Sequence, residues 1–218
     1  LGCLSLAGCG GSPEKAPRSE ASRPTHVPEA PPDNRPLIVA LGDSLTAGFG
    51  VEPGKSYPDY LQQILDRDGY RYRVFNAGIS GDTTSGGVER LDSVLAMKPE
   101  IVILELGAND GLRGLPLTST RANLEEMIAR LKDGGARVVL AGMTLPRNYG
   151  PDYIRSFEAI FTDLAKKHSV ALVPFLLAGV AESGQYMQRD RLHPTAEGNR
   201  RAAANVMKTL GLLLRRKP

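Results

Sequence analysis

With only three histidines in 218 residues, the chain offers few choices of general base. His26 lies in a proline-rich stretch, and His168 ends a segment of helical periodicity, where a cation suits the helix dipole. His193 stands in Asp190-Arg191-Leu192-His193-Pro194. The three-residue spacing from Asp190 lets a turn fold the carboxylate back onto the imidazole, fixing its tautomer and leaving the other ring nitrogen to accept a proton. The same residues also fit an Asp/Pro turn that caps a helix from Thr195. Ser44, in Gly42-Asp43-Ser44-Leu45, could be a turn or cap serine; beside a base and its orienting acid it becomes a candidate nucleophile. Serine acyl transfer also needs donors for the tetrahedral oxyanion. The candidates are the backbone N–H of Ser44, that of Gly81, where a missing Cβ allows close approach, and the side-chain amide of Asn109.

These residues are scattered along the chain, so the fold must bring them together. Continuous apolar runs at Leu37 to Leu41, Ile101 to Leu106, Val138 to Ala141 and Val170 to Val173 read as buried parallel strands, and Tyr72 to Phe75 as a weaker one. Helical spacing fills the gaps: Tyr57, Tyr60, Leu61, Ile64 and Leu65; Val88, Leu91 and Leu95; Leu124, Met127, Ile128 and Leu131; Phe157, Ile160, Phe161, Leu164 and Ala165; Ala203, Val206, Met207 and Leu210. Strand–helix alternation predicts a three-layer α/β/α sandwich around a parallel sheet. Ligands bind such sheets beyond the carboxyl ends of the strands. The stretches that follow the strands there are Gly42 to Leu45, Asn76 to Thr83, Gly107 to Gly111, Thr144 to Pro146 and, past a loop, Asp190 to Pro194.

At these positions the sequence resembles the SGNH (GDSL-type) hydrolases. Four blocks occur in order: Gly42-Asp43-Ser44-Leu45, Gly81 within Ile79-Ser80-Gly81-Asp82-Thr83, Asn109 within Gly107-Ala108-Asn109-Asp110, and Asp190 with His193. The match covers about residues 37–213. Leu104-Glu105-Leu106 through Gly114, and Leu145-Pro146-Arg147-Asn148-Tyr149-Gly150, look like the thioesterase I, lysophospholipase L1 and arylesterase branch. The resemblance implies a flavodoxin-like five-stranded sheet of order 2-1-3-4-5, with Ser44 as nucleophile, His193 as base and Asp190 as its orienting acid. It implies an oxyanion hole from Ser44, Gly81 and Asn109, and chemistry without metal or cofactor. Activity is then expected to rise with pH as the imidazole loses its proton.

Leu112, Leu115, Pro116 and Leu117 after the third strand, with Leu145, Pro146 and Tyr149 after the fourth, are apolar residues expected in loops. They fit a substrate-binding wall for aryl, thioester or short to medium acyl esters; they also fit a seal at the end of the sheet. Arg113 and Arg147 could meet an anionic group on the substrate or remain solvated. An O-acetylesterase of cell-envelope carbohydrate is the rival enzyme class. A nucleotide-binding protein of this topology is excluded, because no Gly-rich phosphate loop follows the first strand.

The remaining features concern placement. Residues 1–36 hold seven of the sixteen prolines and no apolar periodicity, which describes a flexible tether ahead of a hydrolase domain at 37–218. Leu6-Ala7-Gly8-Cys9 resembles the lipobox of bacterial lipoproteins. That resemblance implies a signal-peptide remnant, lipid attachment at Cys9 and a membrane anchor in the bacterial periplasm or cell envelope. Cys3 and Cys9 are the only cysteines, which excludes a cysteine nucleophile and a thiolate metal site from the rest of the chain. The net charge is +3, but residues 198–218 carry six cations and no acid, so the body before them nets −3. That is a poor match to nucleic acid; the partner that the SGNH resemblance implies is a small-molecule ester.

Overall fold

The computed structural model describes residues 1–2 and 33–215. Cys9, the lipobox and nearly all of the expected tether lie outside the described residues. From Asn34 onward the described residues form one compact unit. Its elements are β1 (Leu37–Gly42), α1 (Ser44–Ala47), α2 (Tyr57–Arg67), β2 (Arg73–Gly78), α3 (Thr84–Glu89), α4 (Leu91–Ala96), β3 (Ile101–Glu105), α5 (Ala108–Leu112), α6 (Leu117–Asp133), β4 (Arg137–Ala141), a short 3₁₀ turn (Arg147–Tyr149), α7 (Pro151–His168), β5 (Ala171–Val173) and α8 (Ala196–Leu210).

The five strands are parallel in the order β2-β1-β3-β4-β5. β1 and β3 are buried along their whole lengths, as runs of branched apolar residues covered on both faces must be. The chain steps from β1 outward to β2, then back across to β3, β4 and β5, so a topological switch lies at the carboxyl end of β1. One layer pairs α2 with α8; the other sets α6 between α3 and α7. α2 starts on a reciprocal cap in which Asp59 accepts from the Ser56 backbone (2.9 Å) and Ser56 Oγ accepts from the Asp59 backbone (3.4 Å). No helix among the described residues is long and apolar enough to cross a membrane.

Two local expectations are corrected. β2 extends through Asn76, Ala77 and Gly78, which the sequence pattern places in a loop. Backbone pairing with β1 carries it on (Ala40 opposite Asn76, Gly42 opposite Gly78), and the polar Asn76 is accommodated because its amide donates to Thr46 O (2.8 Å) and Ser56 Oγ (3.2 Å). The single helix implied by Val88, Leu91 and Leu95 is two short helices that meet at Arg90. Arg90 leaves helical geometry there (φ −101°, ψ 5°), and its guanidinium donates to Ala77 O (2.7 Å), Gly42 O (2.9 Å) and Asp82 Oδ2 (2.8 Å). One half-buried side chain thereby ties the ends of β1 and β2 to the loop that carries Gly81.

Candidate active site

Ser44 is the first residue of α1, two residues beyond the buried end of β1. Asp43 caps this helix, accepting from Leu45 N (3.0 Å), and the abrupt strand-to-helix turn leaves the serine half-buried at the sheet's carboxyl edge. Its Oγ lies 2.9 Å from His193 Nε2, and His193 Nδ1 lies 2.7 Å from Asp190 Oδ2. A carboxylate can only accept, so Nδ1 donates to Asp190, and the neutral ring presents Nε2 as an acceptor for the serine hydroxyl.

The turn at Asp190 and the relay coexist rather than compete. Asp190 Oδ1 accepts from Leu192 N (2.9 Å) and His193 N (3.0 Å) while Oδ2 faces the imidazole. Arg191 completes the turn in the left-handed region (φ 57°), and Thr195 caps α8 just after it. Partial burial pushes the Asp190 carboxyl up, but the hydrogen bonds from the imidazole and the two backbone N–H groups outweigh that and hold it at about 2. Asp190 is therefore ionised throughout the range in which an imidazole can act.

The candidate oxyanion donors lie on neighbouring segments. Asn109, on α5, donates through Nδ2 to Asp43 Oδ2 (3.0 Å) and to Asp82 O (2.9 Å), next to Gly81 in sequence. At Gly81 the backbone itself calls for glycine: φ is +82°, which disfavours any other residue, while a Cβ there would meet no protein atom nearer than Arg113 Nη2 at 3.6 Å. Arg113, read from sequence as a substrate contact or a solvated cation, is exposed, and from there it donates to Gly81 O (2.8 Å) and fixes that loop.

A cavity of about 720 Å³ opens beside Ser44, Asn109 and His193. Leu112, Leu145, Pro146 and Arg147 line it. Leu115, Pro116 and Tyr149 lie outside its lining. Leu115 is exposed, Pro116 precedes α6 in an exposed position, and Tyr149 supports the wall from behind by donating its hydroxyl to Leu112 O (2.7 Å). Met143, Ile154, Phe175, Leu177 and Met187 complete the apolar lining; sequence reasoning assigned Ile154 to no element and the others to none with a binding role.

Two further residues escaped it. Gln188 Nε2 donates to Pro194 O (2.9 Å) and to Phe49 O (2.8 Å), joining the histidine's loop to the turn after the serine. Phe49, half-exposed, rests its ring 4.6 Å from the His193 ring. Their only sequence signal is nearness to Ser44 and His193.

This arrangement has close counterparts. Residues 40–201 match the GDSL-like Lipase/Acylhydrolase family. Esterase TesA of Pseudomonas aeruginosa is 43% identical over 178 residues, 81% of this chain and 89% of that protein. An arylesterase of Vibrio mimicus is 43% identical over 161 residues, 73% of this chain and 80% of its own. Thioesterase 1/protease 1/lysophospholipase L1 of Escherichia coli is 38% identical over 161 residues, 73% of this chain and 76% of its own. Among solved structures, that of TesA superposes with a TM-score of 0.80 at 42% identity, covering 82% of this chain and 99% of that one. The esterase EstA from Pseudoalteromonas sp. gives 0.77 at 31% identity, covering 81% and 97%. The chain thus belongs to the GDSL-like lipase/acylhydrolase family and is a carboxylic ester hydrolase.

Proposed function

We propose that this hydrolase is a serine esterase that works through an acyl-enzyme, with Ser44, His193 and Asp190 as its triad. The observation that carries the reading is the unbroken relay from Ser44 Oγ through His193 to Asp190, at 2.9 and 2.7 Å, at the mouth of an apolar cavity. The serine hydroxyl passes its proton to His193 Nε2 as Oγ attacks the acyl carbon. The carbonyl oxygen becomes an oxyanion, held by the backbone N–H groups of Ser44 and Gly81 and by the Asn109 amide, one of whose two Nδ2 hydrogens turns from Asp82 O to meet it. Collapse expels the alkoxide or phenoxide, which takes the proton from Nε2. Water then attacks the acyl-serine, with the same nitrogen as base, and releases the acid.

The substrate class we infer is aryl esters and short to medium acyl esters, extending to thioesters and lysophospholipids. The cavity supports it: walls of Leu112, Leu145, Phe175 and Leu177 reward an acyl chain, whereas an acetyl group would leave most of the volume unused. That favours these esters over the O-acetylesterase alternative. Two assays test the reading. A fluorophosphonate probe should label the wild type and not Ser44→Ala, and a p-nitrophenyl ester series from acetate to dodecanoate should show KM falling as the chain lengthens. Labelling that survives in Ser44→Ala removes the mechanism, and a KM independent of chain length removes the acyl assignment. On the sequence of residues 6–9 we also propose lipid attachment at Cys9 and an envelope location. Incorporation of labelled palmitate that is lost in Cys9→Ser is the expected outcome, and unlabelled wild type rejects it.

A further inference from the structure

Behind the nucleophile lies a second carboxyl that the reaction as written does not use. Glu105, the last residue of β3, has no exposed surface and, among the described residues, no basic partner. Its Oε2 accepts twice, from the Thr46 hydroxyl (2.8 Å) and from Asp43 N (3.2 Å). Thr46 accepts in turn from the buried Tyr57 hydroxyl (3.2 Å). Gly42 is what allows this carboxyl to sit so close to the nucleophile's strand, since a Cβ there would stand 2.5 Å from Oε2. Oε1 is buried and has no hydrogen-bond partner.

The neighbour across from it is Asp43, itself 1% exposed. The Asp43 carboxylate caps α1 through Oδ1 and accepts from Asn109 through Oδ2. Two carboxylates this close and this dry cannot both be charged. Asp43 accepts on both of its oxygens, which suits the ionised partner. Glu105 accepts only on Oε2, and a buried Oε1 with no donor is far less costly on a neutral acid than on a carboxylate. The other titratable groups facing the pair are His193, beyond Asp43, and Tyr57 from α2.

We propose that Glu105 is a positioning residue of the oxyanion hole that acts as a neutral carboxylic acid: through Oε2 it holds the Asp43 backbone, and with its proton on Oε1 it leaves Asp43 as the single buried anion that aims the Asn109 amide. The placement rests on the proposed role of Asn109 as oxyanion donor. Charges move in the same sense: burial and the neighbouring Asp43 push the Glu105 carboxyl well above the ordinary range, while burial raises Asp43 to about 6 against the hydrogen bonds that favour its charge.

A glutamine copies a protonated glutamate, with one acceptor and one donor, and cannot copy an ionised one. Glu105→Gln should therefore keep kcat within roughly threefold of wild type, whereas Glu105→Ala, which releases Asp43, should lower kcat by about tenfold or more with KM little changed. Adding Asn109→Ala to Glu105→Ala should cost little beyond Asn109→Ala alone, because both act through one amide. Independently of turnover, the infrared spectrum at pH 8 should contain a protonated-carboxyl carbonyl band that disappears in Glu105→Gln. The proposal is overturned if that band is absent, if Glu105→Gln falls as far as Glu105→Ala, or if the losses at 105 and 109 simply multiply. Wild-type kcat in Asn109→Ala would remove the oxyanion reading and the positioning role together; a large loss there combined with multiplying effects would remove the positioning role alone.

Discussion

The two sides of Ser44 are built by different physics. On one side, Asp43, Glu105, Asn109, Asp82 and Arg90 bind one another and the strand ends through short, directional hydrogen bonds, several of them buried. On the other, the cavity wall is mostly Leu, Ile, Met, Pro and Phe side chains that fill space without directional bonds, with Thr144, Arg147, Glu182 and Arg191 among them. A buried polar network has one good arrangement, because each unsatisfied group is costly. An apolar wall can be re-cut in small steps, because removing a methylene changes binding by a modest amount. On the proposed mechanism, the contrast separates what performs the reaction from what selects the ester.

Substitutions can break or sharpen that contrast. Ser44→Ala should abolish hydrolysis, by roughly 10⁵–10⁶-fold in kcat, while circular dichroism and melting temperature stay near wild type. Asn109→Ala should reduce kcat by roughly 10²–10³-fold with a small change in KM, measured on a single p-nitrophenyl ester; a change confined to KM would assign the amide to ground-state binding. On the opposite wall, Phe175→Ala should raise KM for octanoate by about tenfold and leave turnover of the acetate nearly unchanged. A comparable fall in kcat for both esters would erase the distinction between the sides. Arg113→Ala should lower kcat only severalfold, since it supports the Gly81 loop from solvent.

The smallest effect is on stability. Asp190 falls from an unfolded value near ~3.9 to about 2, so its ionised form favours the folded state. That contribution is fully present above the unfolded pKa and is lost as pH falls through the folded one. The melting-temperature difference between wild type and Asp190→Asn should be constant above pH ~5 and should shrink between pH ~4 and ~2. A difference that grows on acidification would reverse the sign.

How far the sequence can be read follows the same division. The buried strands β1 and β3 announce themselves as apolar runs, and Ser44 and Asn109 stand just after them, while Asp190 and His193 lie past a long loop after β5. β2 is an edge strand with exposed Phe75 and polar Asn76, so its end is set by pairing with β1 and carries no apolar signal. Tyr149 looks like a wall residue because an aromatic in a loop lacks a local explanation; its hydroxyl bond to Leu112, 37 residues earlier, supplies one. Phe175 and Leu177 are ordinary apolar residues that only the return of the chain after β5 places at the cavity. The proton on Glu105 was invisible for a related reason: a glutamate within a strand signals nothing until its isolation from cations is known.

Consider finally the amide of Gln188, which spans 139 residues of chain to reach Phe49 O. It makes the gap between hydroxyl and imidazole a matter of two adjacent turns clamped by one side chain, independent of the length of polypeptide that intervenes. The stretch between β5 and this clamp, where Phe175 and Leu177 line the cavity, is therefore a place where a change of length or side chain would alter the acyl pocket and leave the clamp on the relay in place.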